Sequence, residues 1–211
     1  MMPKLEEVRN VVKKISSIDE LKGRICFFGG AMPYIYHGEE SGREHSDIDV
    51  LVDEEVMGVL RDMFKKAENY RPHLDSINLG LDKDYGFKIF IDGVYVEFEP
   101  MSIKDGHLIR SSFSPDKEFA GTEVIPFLEM EDVVVPITVD GISTHTESME
   151  LIRASKAKYE RDKDLKDIAF IDSHGIDPER YARVVACLKQ ADVSMSSYEE
   201  LRRIKKQWTI L

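Results

Sequence analysis

With 211 residues, 42% of them hydrophobic and 33% charged, the chain can bury one packed core, and its 13 glycines and 8 prolines are too few for a low-complexity chain. Forty acidic against 29 basic residues leave a net charge of −11, a field that disfavours nucleic acid and draws cations and small cationic molecules. No apolar run approaches bilayer-crossing length, the charged start Met1 to Arg9 lacks a secretory apolar stretch, and Cys26 and Cys187 have no metal-ligand spacing, so no membrane association and a reducing cytoplasm are expected.

The spacing of Leu5, Val8, Val11, Val12 and Ile15 predicts a first helix over Pro3 to Leu21. A strand, Arg24 to Phe28, follows and stops at Gly29-Gly30. A short helix, Ala31 to Tyr36, closes at Gly38. The polar loop Glu39 to Ser46 leads into an apolar strand, Asp47 to Val52. Glu54 to Tyr70 reads as an amphipathic helix with Val56, Leu60, Met63 and Phe64 on its apolar side. Phe87 to Ile91 and Val94 to Glu99 flank Asp92-Gly93, the signature of a two-residue hairpin turn. Phe113 to Val139, broken by Pro115, Pro126 and Pro136, reads as loops and short strands. Beyond it the pattern turns helical: one long helix over Thr146 to Ser173, another opened by Asp177-Pro178, and a last one from Ser196 or Ser197 to Gln207. The division falls near 145, giving a mixed α and β unit over 1–145 and a helical region over 146–211.

The segment with chemical content is Phe27-Phe28-Gly29-Gly30 followed by Ser46-Asp47-Ile48-Asp49-Val50-Leu51-Val52. Paired glycines after a strand let backbone amides come close to a phosphate, and a helix starting there adds a positive end. Residues two apart on a strand share a side, so Asp47 and Asp49 project together while Ile48, Val50 and Val52 face the core. Two neighbouring carboxylates repel each other unless a cation lies between them, and magnesium favours one or two carboxylates together with substrate phosphates.

Gly29-Gly30 with Asp47-Ile48-Asp49 resembles the signature of the DNA polymerase β-like nucleotidyltransferase superfamily. In that family a third acid follows on a neighbouring strand, and Val96-Glu97-Phe98 matches it. Glu99 shares the face of Glu97; the apolar-acid-apolar run favours Glu97, and both remain open. The resemblance implies an α+β fold, a small mixed sheet flanked by helices and followed by a helical region. It also implies two magnesium ions held by Asp47, Asp49 and Glu97, with a nucleoside triphosphate as donor held by Gly29, Gly30 and Ser46. Lys156 to Ile168 is similar to the helical segment of the abortive-infection toxin type, with Lys156 as its lysine and Lys163-Asp164 and Asp167 as its basic-Asp-x-x-Asp run. On one continuous helix Lys156, Lys163 and Asp167 would share a quadrant, and the two lysines would offer charge to a triphosphate tail. The solvated face of an amphipathic helix is the alternative.

The function implied is transfer of a nucleoside monophosphate to an acceptor hydroxyl, of a small molecule by preference as in antibiotic-modifying relatives. Toxin-type action on tRNA or a protein, and a non-catalytic nucleotide-binding module, are the rivals. His45 reads as a loop histidine. The run Arg202-Arg203-Ile204-Lys205-Lys206 reads as a solvated helix end before it reads as an RNA contact.

Overall fold

The computed structural model describes residues 4–45, 47–72, 86–104, 107–111, 122–125, 130–157 and 161–189. Helix α1 (Leu5–Ser16) opens with the Glu7 carboxylate accepting from the Lys4 N–H at 2.6 Å and buries all five residues of its apolar stripe. It is shorter than expected, because Ser17 turns its hydroxyl back onto the Lys13 carbonyl and a 3₁₀ turn, Asp19–Leu21, completes the segment. Strand β1 (Ile25–Phe28), helix α2 (Met32–His37), strand β2 (Asp47–Asp53) and helix α3 (Glu54–Phe64) follow in the predicted order.

Asp53 caps α3 by accepting from Glu55 N–H at 2.9 Å. This helix ends well before Tyr70. Successive turns carry the chain to the two-residue strand β3 (Arg71–Pro72), and the Tyr70 ring packs on Phe87 with centroids 5.0 Å apart. The apolar side of α3 is also rotated from the expected one. Val56, Met57 and Leu60 are buried, whereas Met63 is exposed.

Strands β4 (Phe87–Ile91) and β5 (Val94–Lys104) form the expected hairpin, with positive φ at both Asp92 and Gly93. Next come β6 (His107–Ser111), β7 (Thr122–Ile125), a single helical turn α4 (Met130–Val133), and a second hairpin of β8 (Val134–Val139) and β9 (Ile142–Glu147). Pro136 is accommodated because β8 lies at the edge of the sheet. The predicted long helix is not continuous. β9 runs to Glu147, after which α5 (Met149–Ala157) and α6 (Asp162–His174) are separate helices. A last described helix, α7, spans 178–189, and the Asp177 carboxylate caps it by accepting from the N–H groups of Glu179 and Arg180. The helix expected from 196 to 207, with its basic run, lies outside the described residues.

The main sheet runs β3-β4-β5-β2-β1-β9-β8, with β6 and β7 extending from β5. It is mixed: β2 is parallel to β5 and β1 to β9, and β1 is antiparallel to β2. This is the α+β architecture that the sequence implied. Alternation along the strands divides two cores. Phe27, Ile48, Val50, Val96 and Phe98 pack with α1 and α3, while Cys26, Leu51 and Met101 pack with Val133, Leu151, Ala154 and Val184 from α4, α5 and α7. Among the described residues no helix is long and apolar enough to cross a membrane.

Candidate active site

The acidic strand begins on the second of these faces. Ile48, Val50 and Val52 are buried in the first core, so Asp47 and Asp49 project on the side of Leu51, as the alternation predicts. Leu51 is covered by the C-terminal helices, but Asp47, at the strand's start, is exposed. The register lines up residues across four strands. Phe28 of β1 pairs with Asp49, Asp49 with Glu97 of β5, and Glu97 with Lys88 of β4. Neighbouring strands lie about 4.8 Å apart, so Asp49 and Glu97 stand side by side. Glu99 pairs with Leu51, one step further into the covered end.

Gly29 has φ +94° and receives the first half of this arrangement; a Cβ there would lie 2.8 Å from Asp49 Oδ2. The missing side chain is therefore room for the Asp49 carboxylate. Gly30 is filled from another side, since a Cβ there would run into the Arg43 guanidinium and lie 3.2 Å from Asp167 Oδ2. Arg43 Nη2 also donates to the Gly30 carbonyl at 3.1 Å. Helix α2 has only six residues after this turn. Ser46 lies outside the described residues.

Lys88 enters the site from β4. Its ammonium is 2.5 Å from Glu97 Oε2, with Glu97 mostly shielded and Lys88 half-exposed. Burial pulls the Lys88 pKa down, but the Glu97 hydrogen bond and the charges of Glu97, Asp49 and Asp47 outweigh it and raise the pKa overall. All three carboxylates thus act on one cation position, and hard oxygens of this kind suit magnesium. Among the described residues no group of three or more His, Cys, Asp or Glu side chains is placed so that it could hold a metal ion.

Lys156 and Lys163 are not brought together. Lys163 is exposed, whereas Lys156 Nζ stands 2.7 Å from Asp167 and 3.4 Å from Asp164, both carboxylates fully buried. On a continuous helix, residues 156 and 164 would be about 12 Å apart along the axis. The extended backbone at Arg161 breaks the helix and folds α6 back, which lets one ammonium reach both acids. Asp167 also accepts from Tyr34 Oη at 2.8 Å and from Arg43 Nε and Nη2 at 3.0 and 2.7 Å. Burial, then the Asp167 hydrogen bond, pushes the Tyr34 hydroxyl up to about 12.

His45 is buried beside this network rather than loose in a loop. Among the described residues its Nε2 has no hydrogen-bond partner, its ring meets Tyr34 edge-on at 5.6 Å, and burial followed by the Arg43 charge pulls its pKa down to about 4. Sequence reasoning passed over Lys88, Arg43 and Tyr34. Lys88 left a signal, since a two-residue turn at Asp92-Gly93 fixes the register that pairs residues 88 and 97. Arg43 left none, because its partner Asp167 is 124 residues away.

No protein-family model matches the chain, and no curated protein matches it by sequence. Solved structures do. The lincosamide antibiotic adenylyltransferase LnuA, in a lincomycin-bound crystal structure, aligns with TM-score 0.58 at 16% identity, over 82% of this chain and 99% of that one. The antibiotic-resistance factor ANT(2'')-Ia aligns in its solution structure with TM-score 0.56 at 15% identity, over 92% of this chain and 98% of that one. Its crystal structure with adenylyl-2''-tobramycin gives 0.53 at 15% identity, over 87% of this chain and 98% of that one. The chain has the nucleotidyltransferase fold. The Gly29 turn, the Asp47-x-Asp49 strand and the neighbouring Glu97 are set on that fold in one continuous patch.

Proposed function

We propose that the protein is a magnesium-dependent nucleotidyltransferase that moves a nucleoside monophosphate from a nucleoside triphosphate to a hydroxyl of a small, cationic acceptor. One observation carries the reading: Asp49 stands in register beside Glu97, with Asp47 on the same face and Gly29 leaving room for the Asp49 carboxylate, on a nucleotidyltransferase fold. The acceptor class rests on the net charge of −11 and on the antibiotics named in the related structures, lincomycin and adenylyl-tobramycin.

Asp47, Asp49 and Glu97 would hold magnesium. When bound, the ion would supply charge neutralisation for the triphosphate and would make the acceptor hydroxyl easier to deprotonate. The protein's part is to position and to shield. Gly29 keeps the backbone low beside Asp49, and Arg43 fixes the Gly30 carbonyl so that the turn keeps its shape. The register of β2 on β5 holds the acids on one side. In the reaction the acceptor hydroxyl releases its proton to solvent, its oxygen bonds to the α-phosphorus, the bond from that phosphorus to the α,β-bridging oxygen breaks, and pyrophosphate leaves. Positioning and charge neutralisation account for most of the acceleration in such transfers.

The test is incubation with labelled nucleoside triphosphates, magnesium and a panel that includes lincomycin, tobramycin and a cell extract. Label is expected in a small hydroxylated amine. Asp47→Asn and Asp49→Asn should each lower transfer at least about a hundredfold while the fold is kept. Near-wild-type turnover in both variants would end the proposal.

A further inference from the structure

A carboxylate patch of this kind is expected to depend on a divalent ion for its stability, but the fold supplies a cation of its own. Lys88 and Glu97 are direct cross-strand partners in the β4–β5 hairpin, with 2.5 Å between Nζ and Oε2. Asp49 flanks Glu97 on its other side, and Asp47 lies two residues before Asp49 on the same face. The two partners differ in exposure: the Glu97 side chain is 18% exposed and that of Lys88 45%. The carboxylate is therefore the more shielded partner, and the ammonium sits at the wetter rim on a flexible stem.

We infer that Lys88 is a resident counter-ion of the acid patch, holding Glu97 until a divalent ion displaces it and then turning its charge to the incoming polyphosphate. This rests on the nucleotidyltransferase reading and adds an order of events to it. The residue type fits the task. A lysine ammonium is a point charge that makes and breaks single contacts, whereas an arginine fork would grip the carboxylate with two parallel hydrogen bonds. A cross-strand ion pair with one partner half-exposed is a weaker lock than a buried one, and a doubly charged ion shared with Asp49 outcompetes it.

The inference predicts opposite changes for two steps and opposite effects for two substitutions. Mn²⁺ serves as the probe for the metal step, followed by electron paramagnetic resonance of the free ion, and inorganic tripolyphosphate with saturating Mn²⁺ serves for the second. Lys88→Met should bind Mn²⁺ roughly tenfold more tightly and tripolyphosphate roughly tenfold more weakly than wild type. Lys88→Arg should bind Mn²⁺ more weakly than wild type, because it holds Glu97 harder. Mn²⁺ affinity unchanged or reduced in Lys88→Met, or tripolyphosphate affinity unmoved by it, would overturn the assignment. Asp49→Asn separates this failure from that of the underlying reading. If Mn²⁺ binds wild type and Asp49→Asn alike, the metal site itself is wrong and the role of Lys88 falls with it.

Discussion

Replacing Asp167 by Asn removes one charge and almost no volume from the centre of the network that joins α2, the loop before β2, α5 and α6. The carboxylate has no exposed surface, and it accepts from Tyr34, Arg43 and Lys156 at 2.7 to 3.0 Å. The amide keeps one acceptor oxygen and turns an NH₂ group toward cations whose side chains are only 17% (Arg43) and 12% (Lys156) exposed. Breaking a buried ion pair from one side costs about 3–5 kcal/mol, because the remaining charge is left desolvated. Lys156 keeps Asp164 at 3.4 Å, so the loss belongs in the lower part of that range, about 3–4 kcal/mol. For a chain of this size that is a fall in Tm of about 6–16 °C. Urea denaturation followed by far-ultraviolet circular dichroism measures it directly, and an Arg43→Met background isolates the coupling between the two residues. A loss below about 1 kcal/mol, with no coupling to Arg43, would refute the claim that this network is a charge-paired core.

Two further outcomes follow from the same geometry. Gly29→Ala places a methyl group 2.8 Å from Asp49 Oδ2 on a backbone with φ +94°, so it should destabilise the fold by about 1–3 kcal/mol and cut transfer about a hundredfold. An unaltered rate would show that Asp49 does not need its place beside the glycine. His45 tests the pH dependence: its pKa in the fold is about 4, below the ordinary 6.5, so the unfolded chain binds the extra proton first. Stability from this group is complete above about pH 6.5 and is lost as the pH falls toward 4, with about 2 kcal/mol gone by pH 4.5. His45→Gln should therefore lose less stability than wild type between pH 7 and 4.5, and parallel curves for the two proteins would exclude the buried neutral imidazole.

What the sequence disclosed depended on the range of the interaction. Alternation within β2 placed Asp47 and Asp49 together because it needs only local backbone geometry. The Asp92-Gly93 turn was legible for the same reason, and Asp140-Gly141, just past the stretch read as loops and short strands, carries the same signal, with positive φ at both residues. The helix over 146–173 was misjudged because nothing local stops it: Lys156 to Ile168 is rich in good helix formers, and the break serves tertiary contacts. Likewise the phosphate role expected of Lys156 rested on a solvent-facing lysine, and only the folded chain reveals that two buried acids surround it.

These long-range contacts bear on how the site is held. Besides the neighbouring Glu44 carbonyl, the Arg43 guanidinium reaches the Gly30 carbonyl in the turn beside β2 and Asp167 on α6. The loop before β2 is thereby tied to the turn after β1, and both are tied to a helix that comes more than 120 residues later. A strand pair alone fixes Asp49 beside Glu97, while the Gly29-Gly30 turn has no side chain of its own to hold it. The ionic clamp supplies that constraint from outside the sheet. The long loop from Gly38 to His45 thus has a structural reason: it reaches from the end of α2 across to α6 and returns to β2 with Arg43 anchored on the way. A shorter loop could join the same two elements, but it would leave Asp167 and Lys156 to pair without a hold on the turn.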